Sequence, residues 1–467
     1  MKIILYELNE VPWQVVDYFT RTCPGSAIES VLQHSHQYTT YTLDSGELHP
    51  WSTWPTVHRG VHNDVHKIRF LNQDLPHKYP PIWEILTQEK KSVGLFGSLQ
   101  SWPVPKDKSW YRFYVPDTFA QNAETYPENL KGFQKFNLTQ TKKDGGKTPG
   151  KIKMSWSLVK DILLFFELGF SLKTAFQLFN QLMKETFNPA YRHIRSMFQA
   201  PLAFDFYYEL LQNTQPDFST FFTNHAAGMM HRYWKYTFPE EFNYTLEGDD
   251  AHFKAQNILR AMKIADQQIK ALKNFADKNE YVLMIASSMG QEAIDRGDYP
   301  GELRIDDIEK FYAGIGYEGQ IKNNLAMQPD FAFSFKSDDD LADFKRCIQT
   351  LTTPHGDLLF TLKEAGLTLN CNLQLNHETI EKGFIYKDSL PLSLDTFGIR
   401  VVNRDPGTAY HQPRGIFIVY QHGLRPLPYR EKIDSTQIAP TILDLFGIKK
   451  MPYMKSPLKL KDALNGT

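Results

Sequence analysis

Short apolar runs alternate with longer amphipathic stretches along most of the chain. Residues 1–8, 93–96, 218–223, 281–286 and 416–420 are rich in Val, Ile, Leu, Phe or Tyr and stop at polar or glycine-containing sequence. Continuous apolar runs of this length predict buried parallel strands. Between them, residues 13–19, 82–89, 257–275 and 435–446 carry helical spacing. Strand-helix-strand recurrence over hundreds of residues predicts an α/β fold with a doubly wound sheet. Ligands in such sheets sit beyond the carboxyl ends of the strands, so the polar residues after each run are the ones to inspect.

Two segments break the alternation. Residues 131–200 open as a Lys/Gly/Thr/Pro stretch and continue with helical spacing at 156–168 and 174–183. From 142 to 195 there are ten Lys/Arg and four Asp/Glu, a net charge of +6. Such an insert is a candidate to sit over an anionic substrate or to make peripheral contact with a membrane surface; the alternative is a solvated helical cap whose apolar face packs on the core. Residues 299–403 read as a small α+β insertion, with a strand at 331–335, a helix at 338–351, and 358–363 and 367–375 as further strands or a helix-strand pair. Asp338, Asp339 and Asp340 open that helix, where carboxylates favour the positive end of the dipole rather than forming a metal cluster. The expected layout is a core of 1–130, 201–298 and 404–467, a basic helical insertion at 131–200, and the α+β insertion at 299–403.

The chain has 467 residues and a net charge of -1, and 42% of its residues are hydrophobic. That excludes a disordered chain and a surface built throughout for nucleic acid, so no nucleic-acid partner is expected. Three scattered cysteines, Cys23, Cys347 and Cys371, make neither a disulfide framework nor a zinc ribbon. Glu7 and Glu10 interrupt the first apolar run too early for a signal peptide. No run has the roughly 18 apolar residues of a membrane span. A cytoplasmic protein without a transmembrane segment is expected; the pattern leaves its oligomeric state open.

Polar clusters follow several of the strands. Asn9 and Glu10 follow the first. Ser52, Thr53, Thr56, His58 and Arg59 occupy a Trp/Pro/His-rich stretch, with His62 and His66 beyond it. Asn224, His225 and His231 follow the run at 218–223, and Ser287, Ser288, Gln291 and Glu292 follow the run at 281–286. His411 and Arg414 precede the run at 416–420.

Two late motifs carry a resemblance. His411-Gln-Pro-Arg-Gly415 before a strand, and Ile438-Ala-Pro-Thr-Ile-Leu-Asp-Leu-Phe-Gly447, resemble elements of the alkaline phosphatase superfamily, in particular its type I phosphodiesterase/nucleotide pyrophosphatase branch. His66-Lys-Ile68 after Gly60 resembles that branch's glycine and His-Gly-Ile signature. The resemblance implies an alkaline phosphatase-like fold and ester hydrolysis with two divalent ions, usually zinc, bound by three Asp and three His. This chain departs from that ligand set. Ser287-Ser288-Met289-Gly290 stands where the family has Ser-Asp-His-Gly, and the Asp expected four residues before His231 falls on Ala227. The first Asp gives way to something within 7–10.

The resemblance still matches His231 and His411 to the imidazoles of one site. With His225 they would make a three-histidine zinc site with water in the fourth place, or a metal-free hydrogen-bonded pocket. Thr53-Trp-Pro resembles the family's nucleophile motif, with Thr56 and Ser52 as alternatives. Glu10 and Glu292 are candidate acid/base groups. Asn9, Arg59, Asn224, Gln291 and Arg414 are candidate substrate ligands, the arginines by bidentate contact with phosphate or sulfate. The implied function is a phosphate- or sulfate-ester hydrolase or transferase with an altered, mononuclear metal site, acting on a small anionic ester or sugar-like substrate. The alternative is a non-catalytic pseudoenzyme that keeps the pocket for an anionic or sugar-like ligand or a partner protein.

Overall fold

A computed structural model describes residues 1–71, 73, 75, 78–143, 166, 168–295, 297, 301–324, 326, 330–373, 377–402 and 407–465. The helix expected at 156–168 lies largely outside these residues.

The apolar runs form the predicted strands: β1 (Lys2–Leu8), β3 (Val93–Phe96), β5 (Phe218–Thr223), β6 (Tyr281–Ala286) and the strand Arg414–Tyr420. With β2 (Ser35–Tyr41), β4 (Tyr111–Val115) and the strand Glu431–Asp434 they build an eight-stranded sheet. Its order is Glu431–Asp434, β2, Arg414–Tyr420, β6, β1, β5, β3, β4. β1 pairs in parallel with both β5 and β6, whereas Arg414–Tyr420 runs antiparallel between β6 and β2. The fold is therefore α/β, with one reversed strand in a largely parallel sheet.

The period of two along β1 explains why both sheet faces are covered. Ile4, Tyr6 and Leu8 join a cluster with helices α1 (Trp13–Thr22), Gln199–Thr214, His225–Thr237 and Asn257–Asn279. Ile3 and Leu5 join a second cluster with Trp54, Trp83 and the helix Ile438–Leu445. A strand buried on both sides has no solvent-facing position to alternate with, hence an apolar run that only the buried Glu7 interrupts.

The stretch read as a polar cluster at 49–60 is a helix, α3 (Pro50–Arg59). Pro50 sits in its first turn, where no N–H is needed. Pro55 lies inside and cannot bond back to the Trp51 carbonyl. The Gln100 amide donates to that carbonyl instead, at 3.2 Å.

The chain divides into two compact units. The first contains Met1–Ile68, Leu75–Ile294 and Gly407–Thr467, and with them the large sheet. The second contains Arg69–Asp74 and Asp295–Pro406 and has its own core around Phe333, Phe344, Phe360 and Phe397. Its largest sheet is antiparallel, in the order Phe360–Ala365, Thr368–Leu373, Asp330–Ser334, Lys322–Asn324. Ser337 caps the helix Asp338–Gln349 by accepting from the Asp340 N–H, so the three aspartates occupy a helix first turn.

Candidate metal centre at the strand ends

β6, β1 and β5 are neighbours and end on the same edge of the sheet. The residues that follow them are Ser287-Ser288, Asn9-Glu10 and Asn224-His225. Parallel pairing thus brings together three polar turns that lie far apart in the sequence, the first more than 200 residues before the other two.

Glu10 turns back into this space through a left-handed backbone, φ 61°. Such a conformation is costly for a residue with a Cβ and is held only where its surroundings fix it. The fixing contacts are visible. Asn9 Nδ2 donates to Glu10 Oε1 at 2.8 Å, and Gln291 Nε2 donates to Glu10 Oε2 at 2.5 Å. Glu10 is 2% exposed.

Two imidazoles face the carboxylate. His231 Nε2 lies 3.0 Å and His411 Nε2 3.4 Å from Glu10 Oε2. The three donor atoms lie within 4.8 Å of one another. His231 comes from the helix His225–Thr237, and its Nδ1 donates to the Ala409 carbonyl at 2.9 Å. That bond fixes the tautomer and leaves Nε2 directed at Glu10. His411 comes from the strand Ala409–Gln412, which pairs antiparallel with Gly290–Ala293 so that His411 stands opposite Gln291. The same register puts Gln291 inward and leaves Glu292 outward.

Burial alone would raise the Glu10 carboxyl. The His411 charge and the hydrogen bonds from His231 and His411 outweigh it and hold the carboxyl well below the usual range. His411 responds in the opposite sense. Burial pulls its imidazole down, but Glu10 raises it above the ordinary histidine value.

Glu10, His231 and His411 fit a single divalent ion. Two imidazole nitrogens and one carboxylate oxygen are a common donor set for zinc that keeps an open position. Asn9, Gln291 and the Ala409 carbonyl would orient those ligands from outside.

His225 does not join them. Its Nδ1 accepts from the Thr223 hydroxyl at 2.7 Å and its Nε2 donates to the Ala261 carbonyl at 3.0 Å. Both ring nitrogens are used, and burial drops its pKa to about 4. The set of 225, 231 and 411 expected from sequence therefore assembles with Glu10 in the place of His225.

The remaining candidates separate into three places. Asn224 accepts from Asn9 Nδ2 at 2.6 Å, and Trp54 Nε1 donates to Asn9 Oδ1 at 2.7 Å, so both asparagines border the carboxylate. Thr53 is 1% exposed, and its hydroxyl lies 2.8 Å from Ser288 Oγ and 3.2 Å from the His49 carbonyl. Thr56 belongs to another network, donating to Asp44 Oδ2 at 2.7 Å and accepting from His66 Nε2 at 3.0 Å. Ser52 donates to the Ile68 carbonyl. Arg59 is buried against the Tyr79 carbonyl, and Arg414 pairs with Glu292 at 3.3 Å in a half-exposed position. Neither arginine makes a contact with Glu10, His231 or His411 among the described hydrogen bonds.

An aromatic edge lies beside His411. His49 meets His411 edge-on at 5.9 Å and stacks on Trp51 at 4.4 Å. The Tyr410 ring lies 4.5 Å from the His411 ring, and its hydroxyl donates to Glu47. Only the turn before α3 brings these groups together, and nothing in their spacing announces it.

The site thus belongs to an α/β protein with a two-histidine, one-carboxylate cluster at the carboxyl ends of parallel strands. Murine ectonucleotide pyrophosphatase/phosphodiesterase 5, an inactive variant in complex with AMP, is similar at 10% identity, with 99% of each chain covered and a TM-score of 0.45. The human ectonucleotide pyrophosphatase/phosphodiesterase 5 is similar at 10% identity, with 100% of each chain covered and a TM-score of 0.43. Phosphonoacetate hydrolase from Sinorhizobium meliloti 1021, in complex with phosphonoformate, is similar at 10% identity, 94% coverage of each chain and a TM-score of 0.40. No protein-family model and no curated protein matches the chain.

Proposed function

We propose that the chain is a phosphate- or sulfate-ester hydrolase or transferase of the alkaline phosphatase type that works with one divalent metal, zinc by its donor chemistry. The observation that carries this reading is the convergence of Glu10, His231 and His411 within 4.8 Å. A divalent ion held there would polarise an ester oxygen and favour a deprotonated hydroxyl at neutral pH. Ser288 and Met289, at the positions where the family has Asp and His, argue for one metal rather than two.

Thr53 is the candidate nucleophile. Its hydrogen bond with Ser288 holds the hydroxyl at a fixed orientation, and His49 and Trp51 offer an aromatic edge for the substrate. Asn9 holds Glu10 through its Nδ2, and Asn224 accepts from the same Asn9 amide, so of the two it is Asn224 that would offer its amide N–H to an anionic group. Three free cysteines support a reducing, cytoplasmic setting. None of the described helices is long and apolar enough to cross a membrane. We read the core as 1–130, 201–298 and 404–467, interrupted by insertions at 131–200 and 299–403.

The burial of Thr53 favours a second reading, a pseudoenzyme that binds an anionic or sugar-like ligand or a partner protein in the same pocket. One experiment separates the two. Protein purified without chelator is assayed for bound zinc and for turnover of phosphate and sulfate mono- and diesters, with His411→Ala alongside. Stoichiometric zinc and turnover, both lost in His411→Ala, support the enzyme. Zinc binding without turnover favours the pseudoenzyme, and absence of zinc binding overturns the metal assignment.

A further inference from the structure

The helix Leu172–Phe187 packs the wrong way round for a surface helix. Its buried residues are polar: Thr174, Gln181 and Glu185, each no more than 4% exposed. Apart from Leu178, which packs on the core, its large apolar residues are exposed. Leu172 is 80% exposed, Phe176 67%, Phe179 60%, Met183 41% and Phe187 82%. At about 100° per residue, these five fall within roughly 80° of arc, and the three buried polar residues lie on the opposite side.

The inward polar face is fully built. Ser171 caps the helix by accepting from the Thr174 N–H. Gln181 donates to the Tyr191 carbonyl at 2.7 Å and to Glu185 Oε1 at 3.0 Å, and Arg195 Nε donates to Glu185 Oε1 at 2.9 Å. These hydrogen bonds, with partial packing of Ala175 and Leu178 on the core, dock this helix, and among the described residues its apolar stripe stays exposed. A soluble surface rarely presents five large apolar side chains in one line without a binding role.

We propose that this stripe docks the protein onto an anionic lipid bilayer. Charge selects that occupant over a second copy of the chain. Lys173 and Lys184 flank the stripe on one side, at roughly 100° and 120° from Leu172, where a lysine can keep its ammonium among headgroups while its stem follows the apolar face. The only carboxylate of the helix, Glu185, is buried and paired with Arg195, so it does not oppose them. Residues 172–198 contain four Lys/Arg and one Glu, a net +3. A second copy would bring those cations against their own kind, whereas an anionic headgroup layer neutralises them. Phenylalanines beside lysines also suit an interfacial helix, whose apolar side enters the acyl boundary.

The test is co-sedimentation of the full chain with vesicles of phosphatidylcholine alone or mixed with phosphatidylglycerol. The mixed vesicles are expected to bind the protein and the neutral ones to bind it much less. Phe176→Asp/Phe179→Asp and Lys173→Glu/Lys184→Glu are each expected to weaken binding by on the order of 10-fold or more. All the substituted side chains are exposed, and Lys184 gives up only a cation–π contact with Tyr191 at 5.6 Å, so far-UV circular dichroism and the melting temperature should stay close to the parent. Failure to bind either vesicle overturns the proposal. So does binding that both variants retain, or a solution dimer that Phe176→Asp/Phe179→Asp dissociates.

Discussion

Gln291 Nε2 donates to Glu10 Oε2 across 2.5 Å, so a neutral amide holds the carboxylate of the candidate metal cluster. The same amide also reaches the Ala227 carbonyl at 3.2 Å, which anchors it to the helix that carries His231. Gln291→Leu removes this support without touching a ligand. Its zinc affinity is expected to fall by about 10–100-fold, read by isothermal titration, while the thermal melt of the apo protein changes little. An unchanged affinity would show that Glu10 needs no such orientation.

Thr53→Ala and Thr53→Ser divide nucleophilic from structural roles. Loss of the Ser288 contact is expected to cost stability about 1 kcal/mol in Thr53→Ala, measured by urea unfolding. If Thr53 attacks the ester, kcat drops by more than about 1000-fold in Thr53→Ala and is largely kept in Thr53→Ser. Equal activity in the two variants would remove Thr53 from the chemistry.

Glu7 and His58 form a contact of 2.6 Å with both side chains essentially out of solvent. The His58 ring is sandwiched by Trp54 and Trp83 at 5.5 and 4.8 Å. Truncating one partner strands the other in a low-dielectric space. Glu7→Leu and His58→Phe alone are each expected to cost about 3–5 kcal/mol, and the double variant markedly less than their sum. Urea denaturation of the four proteins measures that coupling.

His62 lies 3.1 Å from both Asp44 and Asp434. Burial lowers its pKa, but the two carboxylates win and raise it to about 9. Its contribution to stability is full below its unfolded value near 6.5 and is lost as pH climbs through about 9. Asp434 works from the other side. Burial would raise it, but hydrogen bonds from His62, Lys455 and Thr436 hold it below the usual range, so its contribution is lost as pH falls below about 4. His62→Gln should lose about 1–2 kcal/mol at about pH 6 and almost nothing at about pH 10. A constant difference across that range would contradict the assignment.

At Gly290 and Gly415 the nearest neighbour is a backbone carbonyl. A Cβ on Gly290 would stand 2.3 Å from the Arg414 carbonyl oxygen, and one on Gly415 would stand 2.5 Å from the Ser287 carbonyl oxygen. Gly290→Ala and Gly415→Ala are each expected to destabilise by about 2–4 kcal/mol by forcing apart the strands that deliver Gln291 and His411. Differential scanning calorimetry would show wild-type melting if these clashes were relieved elsewhere.

Sequence by itself determined the strands whose faces are both covered. β1, β5, β6 and Arg414–Tyr420 had to be rich in apolar residues, because neither face offers water a place, and the polar residues within them, such as Glu7 and Thr220, are buried too. It also marked Glu10, His231 and His411 as chemically capable residues. β2, with the sequence Ser-His-Gln-Tyr-Thr-Thr-Tyr, was not legible, because its place comes from pairing with Arg414–Tyr420 and Glu431–Asp434 rather than from apolar content. The helix α3 was hidden by two prolines, one harmless at its start and one compensated by Gln100. Tertiary structure alone decided which histidines meet. His225 and His231 lie on one helix, six residues apart. Their separation turns one toward the Ala261 carbonyl and the other toward Glu10. Strand register then chose Gln291 over Glu292 as the group that faces the site, since adjacent residues of a strand point to opposite sides.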